Sequence, residues 1–185
     1  FPAMNSSPEF TRMLVPGLRD SEAGHWQSRW HEQHPHWLRI KQRNWAQVDL
    51  EGWITAIDRE QKQATSPLLL IGHSFGALAS LVWANRHPQR VAGVMLVAPA
   101  EPVRFGLGDD ILPAPLAVPG LLIASHTDPL LTFTRAEFWA QAWRCELADI
   151  GEAGHINVES GFGDWSWGLA KLEVFAAQLA ANLSD

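Results

Sequence analysis

Four consecutive aliphatic residues, Leu68 to Ile71, run directly into Gly72-His73-Ser74-Phe75-Gly76, and the segment that follows, ALASLVWANRHP, has the pattern of a helix. An apolar run of this length is the mark of a strand buried on both faces of a parallel sheet. A serine set between such a strand and a helix in the order GxSxG sits on a sharp turn that strains its backbone and exposes its hydroxyl at the sheet edge. Small residues are needed on either side, because the strand and helix backbones pass close to one another there. Gly72 and Gly76 supply that room, so the sequence predicts a nucleophile elbow with Ser74 at its tip.

Further apolar runs suit strands at Arg12 to Pro16, Trp37 to Lys41, Val91 to Val97, Gly120 to Ser125 and Cys145 to Ile150, with Pro67 to Ile71 leading into the elbow. Helical patterns lie between them, at His25 to Gln33, Asp49 to Ala64, Ala77 to His87, Thr134 to Trp143 and Trp167 to Leu183. Alternating strands and helices predict an α/β fold: a mainly parallel sheet of about six strands with helices on both faces. Ligands bind at the carboxyl edge of such sheets, so the loops there are the place to look for chemistry. The longest of them, Ala98 to Pro119, either flanks a substrate opening or is a plain solvent connection. Nothing in it reads as a large helical lid.

The chain has 185 residues and a formal charge of −6, with Lys and Arg scattered along it. That fits one domain, over residues 4–185 with Phe1 to Ala3 ahead of Met4 set aside, and argues against a nucleic-acid footprint. The single cysteine, Cys145, allows no intrachain disulfide and reads as a core thiol in a reducing compartment. With no signal-like start and no apolar run of transmembrane length, the expectation is a cytoplasmic protein that does not engage a membrane. Ten tryptophans and no tyrosine imply rings that pave a core or line an apolar pocket.

A serine hydroxyl is a weak nucleophile at neutral pH, so Ser74 needs a general base, and the base needs a carboxylate to fix its tautomer. In elbow-type hydrolases these follow in the order serine, acid, histidine. Asp128 comes three residues after Ser125 at the end of the strand in GLLIASHTDP, where it could also serve as a helix cap before Pro129. His155, in the glycine-punctuated loop DIGEAGHINVESGFGDW, is the one histidine beyond Asp128. The other histidines are weaker candidates: His73 is fixed inside the elbow, His126 precedes the acid, His87 opens a turn, and His34-Pro35-His36 breaks any metal-ligand spacing. No metal and no cofactor are expected. The oxyanion of a tetrahedral intermediate needs two backbone donors, and the amides of Phe75 and of Leu18, just past the Pro16-Gly17 turn, are the candidates.

Four segments, PGLRDSEAGHWQSRW, the elbow, ASHTDP and GHINVESGFGDW, together resemble the small single-domain serine hydrolases of the YdeN and retinoblastoma-binding-protein-nine type in the α/β-hydrolase superfamily. The resemblance runs from Met13 onward. It implies a compact three-layer α/β-hydrolase fold without a cap domain, and a triad of Ser74, Asp128 and His155. It also implies activity on small-molecule esters or amides. The LxCxE pattern proposed for the vertebrate relatives is absent, since Trp143 stands where leucine is required before Cys145, so no retinoblastoma-type partner is expected.

The expected substrate pocket draws on Ser21, His25 and Trp26 beside Leu18, on Phe133 near the acid, and on Phe162 and Trp165 after the base. That mixture favours an apolar or aromatic group. The competing expectation is core packing, because Trp26 and Trp30 fall on one helix face. The leading reading is a serine esterase or amidase working through an acyl-enzyme. Its rivals are a binding or regulatory module that keeps the fold, and an acyltransferase or thioesterase that uses the same triad.

Overall fold

The structure, a computed structural model, describes residues 10–183. The bounds expected at Met4 and Asp185 lie outside the described residues. Six strands form: β1 (Thr11–Val15), β2 (Leu38–Arg39), β3 (Leu68–His73), β4 (Val91–Val97), β5 (Gly120–Ala124) and β6 (Glu146–Asp149). They make one sheet in the order β2-β1-β3-β4-β5-β6, with every pairing parallel. Parallel neighbours require crossovers, and helices supply most of them: α1 (Trp26–Gln33), α2 (Leu50–Glu60), α3 (Phe75–Arg86) and α4 (Phe133–Trp143), with α5 (Ser166–Leu183) closing the chain.

Period-two alternation along the strands divides the core into two layers. Leu68 and Leu70 of β3 face α2, α3 and α4, where they meet Trp53, Leu78 and Trp139. Leu69 and Ile71 face the opposite way, toward Trp26 and Trp30 of α1 and Leu172 and Phe175 of α5. This three-layer arrangement is the α/β-hydrolase architecture, and every residue of β3 is buried within it.

Both edge strands are shorter than their apolar runs suggest. At one edge, the expected strand from Trp37 to Lys41 shrinks to two residues: the Trp37 amide turns back to His34 O, and its ring stacks on His34 at 4.4 Å. At the other edge, α4 ends with Arg144 in a left-handed conformation (φ 57°), and the Cys145 amide closes onto Ala140 O, so β6 starts one residue later than expected. The connection over residues 98–119 is more than a solvent loop, because Leu107 and Ile111 are buried in the layer that holds α2, α3 and α4. Among the described residues, no helix is long and apolar enough to cross a membrane.

Candidate active site

β3 delivers the chain to Ser74 at the centre of the sheet, and α3 leaves it one residue later. Ser74 has φ 58° and ψ −119°, a strained conformation for a residue with a side chain, and it is held by its amide bond to Val97 O at 3.0 Å. The flanking glycines show why the turn needs them. A Cβ on Gly76 would lie 2.0 Å from Val15 O, and one on Gly72 would lie 2.6 Å from Ala77 Cα. The end of β1 thus presses on the start of α3. The turn after β1 lies against the elbow as well, since a Cβ on Gly17 would come within 3.3 Å of Phe75 N. Among the described residues, neither the Leu18 nor the Phe75 amide has a hydrogen-bond partner, so both are free to meet an oxygen bound beside Ser74.

Two loops at the same sheet edge bring in the remaining groups. His155 Nε2 lies 2.8 Å from Ser74 Oγ, and His155 Nδ1 lies 2.9 Å from Asp128 Oδ1. Asp128 follows β5, and its side chain is 2% exposed. It does not cap α4, a task done by Thr132, whose Oγ1 accepts from the Arg135 amide. A carboxylate only accepts, so His155 Nδ1 carries the proton and Nε2 presents its lone pair to the serine hydroxyl.

The histidine loop is fastened at several points. Ser125 Oγ accepts from the Ala153 amide and Thr127 Oγ1 from the Gly154 amide, both at 2.9 Å. From below, the Trp26 indole donates to Ile156 O and the Trp30 indole to Asp164 O, each at 2.9 Å. His73, one residue before the serine, has its Nε2 2.9 Å from His155 O. A ring nitrogen facing a carbonyl must be the donor, so His73 is the Nε2–H tautomer and ties the elbow to the histidine loop. Sequence reasoning placed His73 in the elbow but missed this contact, because the residue before the serine in GxSxG carries no spacing signal for a partner 82 residues away. Ser125 and Thr127 left a faint one, as hydroxyls clustered beside the acid in ASHTDP.

Three imidazoles therefore crowd one corner, with His73 4.8 Å from His25 and 4.9 Å from His155 between ring centroids. Burial pushes His25 down to about 3, helped by the Arg39 charge, and its Nδ1 accepts the Gln27 amide as the cap of α1. Burial holds His73 well below the usual histidine range too. Both rings stay neutral near pH 7, so neither adds a positive charge that would oppose protonation of His155 during a reaction. Burial raises the Cys145 thiol to about 12, so it stays protonated and unreactive near pH 7.

A cleft of about 410 Å3 opens over Ser74 and His155. Leu18 and His25 line it, as the sequence suggested, and Phe105 and Leu130 add apolar wall. The other expected pocket residues stand elsewhere. Ser21 is buried and donates to Gln27 Oε1, Phe133 stacks on His126, and Phe162 packs edge-on against Trp165. Trp26 and Trp165 lie in the core beneath the histidine loop, their rings 5.0 Å apart. Large flat rings gain more by burial against one another than at an open edge, and the Trp26 indole finds a loop carbonyl there, while among the described residues Trp165 is held by ring packing alone. The cleft rim is accordingly polar, with Arg19, Asp20, Glu22, Asn157 and Glu159, and not the aromatic pocket that the sequence suggested.

Residues 12–174 match the family model described as serine hydrolase. The chain belongs to the serine hydrolase family. Among solved structures, this serine hydrolase is similar to a protein described as a YdeN-like hydrolase from Pectobacterium atrosepticum, with 57% identity, 92% of each chain covered and a TM-score of 0.90. The ydeN gene product of Bacillus subtilis shares the fold at 21% identity and a TM-score of 0.74, over 91% of this chain and 100% of its own. A thermophilic esterase from Thermogutta terrifontis shares it at 13% identity and a TM-score of 0.70, over 94% and 91% of the two chains. None of the proteins with curated function matches the chain.

Proposed function

We propose that this serine hydrolase cleaves carboxylic esters or amides through an acyl-enzyme on Ser74, with His155 as base and Asp128 as its orienting acid. The observation that carries the reading is the unbroken line Ser74 Oγ, His155 Nε2, His155 Nδ1, Asp128 Oδ1, with contacts of 2.8 and 2.9 Å, built on a serine held at positive φ. As Ser74 Oγ attacks the substrate carbonyl carbon, its proton passes to His155 Nε2 and the carbonyl oxygen becomes an oxyanion. The Leu18 and Phe75 amides donate to that oxygen, a contribution of about 3 kcal/mol for one such donor. His155 then hands its proton to the departing alcohol or amine. Water enters, gives a proton to the same nitrogen and attacks the acyl carbon; the bond to Ser74 Oγ then breaks, the acid leaves, and Oγ takes the proton back from His155.

The cleft shape favours a particular size of substrate. Leu18, Phe105 and Leu130 offer a small apolar wall, and the charged rim disfavours a long alkyl chain. Short acyl groups joined to a polar remainder fit best. Aryl esters of graded acyl length test this, assayed with the native protein and with Ser74→Ala and His155→Ala. Turnover should be highest for two to four carbons by about tenfold over eight, and should vanish in both variants. A folded native protein that turns over none of these esters would sink the reading.

A further inference from the structure

Five arginines, Arg12, Arg29, Arg39, Arg86 and Arg135, each have a carboxylate partner. Lys41, Arg43 and Arg59 have none among the described residues, yet they converge with Gln42 on one concavity of about 530 Å3. No acidic residue lines it, on a chain whose formal charge is −6. The three cations come from two elements, the stretch leaving β2 and the last turn of α2. Arg59 is held in place, its Nη1 donating to Lys41 O at 3.1 Å, which leaves the rest of its guanidinium fork unused. Gln42 adds an independent sign: its side-chain nitrogen is buried and makes no hydrogen bond among the described residues.

The three cations are exposed, so water screens their repulsion, but together they set a positive potential over the concavity, and a buried donor without a partner gains by meeting an acceptor. We propose that this concavity binds a tetrahedral oxyanion, a phosphate group that is free or carried on a small molecule. Lys41, Arg43 and Arg59 neutralise its charge, and the Gln42 amide donates to one of its oxygens. A multiply charged anion suits three cations better than a single carboxylate does. The site shares no lining residue with the cleft over Ser74, and it stands whether or not Ser74 is a nucleophile. Four residues are too few for a nucleic-acid track.

The competing explanation starts from β2 being an edge strand, where cations discourage pairing with another chain. Cations with only that task need no shared concavity and no buried amide. Calorimetric titration of the full chain with inorganic phosphate and with phenyl phosphate, against sodium chloride at matched ionic strength, separates the two. We expect saturable one-to-one binding of at least one of the two phosphates. Arg59→Gln should weaken it about tenfold, and Gln42→Leu, which leaves every charge in place, about fivefold. Lys41→Gln gives a second charge-removing variant that leaves the Lys41 backbone contact intact, and thermal melts confirm that each variant is folded. Heats that chloride reproduces, or phosphate binding unchanged by Arg59→Gln and Gln42→Leu, would overturn the proposal.

Discussion

In the proposed reaction Asp128 acts on Ser74 only through the tautomer it imposes on His155. Asp128→Asn keeps the shape but offers His155 Nδ1 a donor, which moves the ring proton to Nε2 and blinds it to the serine. Steady-state kinetics should show kcat lower by about 10^4, the fall typical of a wrong histidine tautomer in a Ser-His-Asp triad, with KM little altered. His73 is a positioning residue by its bond to His155 O. His73→Phe keeps a ring but leaves that carbonyl unpaired, and turnover should fall about tenfold. His73→Gln can still donate and should recover most of the loss, whereas a purely space-filling role would rank the two the other way. Chain order picked out Ser74, Asp128 and His155, each set after a strand end, and the fold brings the three side chains within hydrogen-bond distance. No local pattern could reveal His73, whose partner is brought to it by the whole fold.

At the scale of elements, α1 serves the site from beneath. Its two buried tryptophans hold the histidine loop by their indole N–H groups. Trp26→Phe keeps a buried aromatic and removes the bond to Ile156 O, which should cost about 1–3 kcal/mol in a urea melt. It should also reduce turnover by loosening the base. The sequence left Trp26 between pocket and core, the structure places it in the core, and the cause is physical. A helix next to a sheet edge can turn one face to the cleft or to the core, and only packing against Trp165 and Trp30 decides it. The elbow was legible because its glycines answer to backbone contacts of 2.0 and 2.6 Å that tolerate no side chain. Edge strands β2 and β6 were overestimated because an apolar run does not say where ladder pairing stops.

The molecule as a whole carries a pH dependence in its buried histidines. His25 has a folded value of about 3 against 6.5 when free, and His73 is likewise depressed. Below pH 6.5 the unfolded chain takes up protons that the folded rings refuse, so stability is full above that pH and declines as pH falls toward 3. The slope should approach about 1.4 kcal/mol per pH unit for each ring. Denaturant melts from pH 7 to 4 measure it, and His25→Asn, which retains the helix cap, should flatten it. The architecture was legible almost throughout, since alternating strands and helices admit few arrangements once β3 is fixed as the buried centre. The polar character of the cleft was not, because two loops far apart in the chain, at 19–22 and 157–159, come together to build its rim.

In the proposed reaction Ser74 is the nucleophile, and His155 makes it one. Intact-mass spectrometry after brief exposure to a fluorophosphonate, followed by peptide mapping, tests it directly. A single adduct on Ser74 is expected in the native protein, none in Ser74→Ala, and labelling slowed by at least about 10^3 in His155→Ala. An adduct on another residue, or labelling of Ser74 at the native rate without His155, would contradict it.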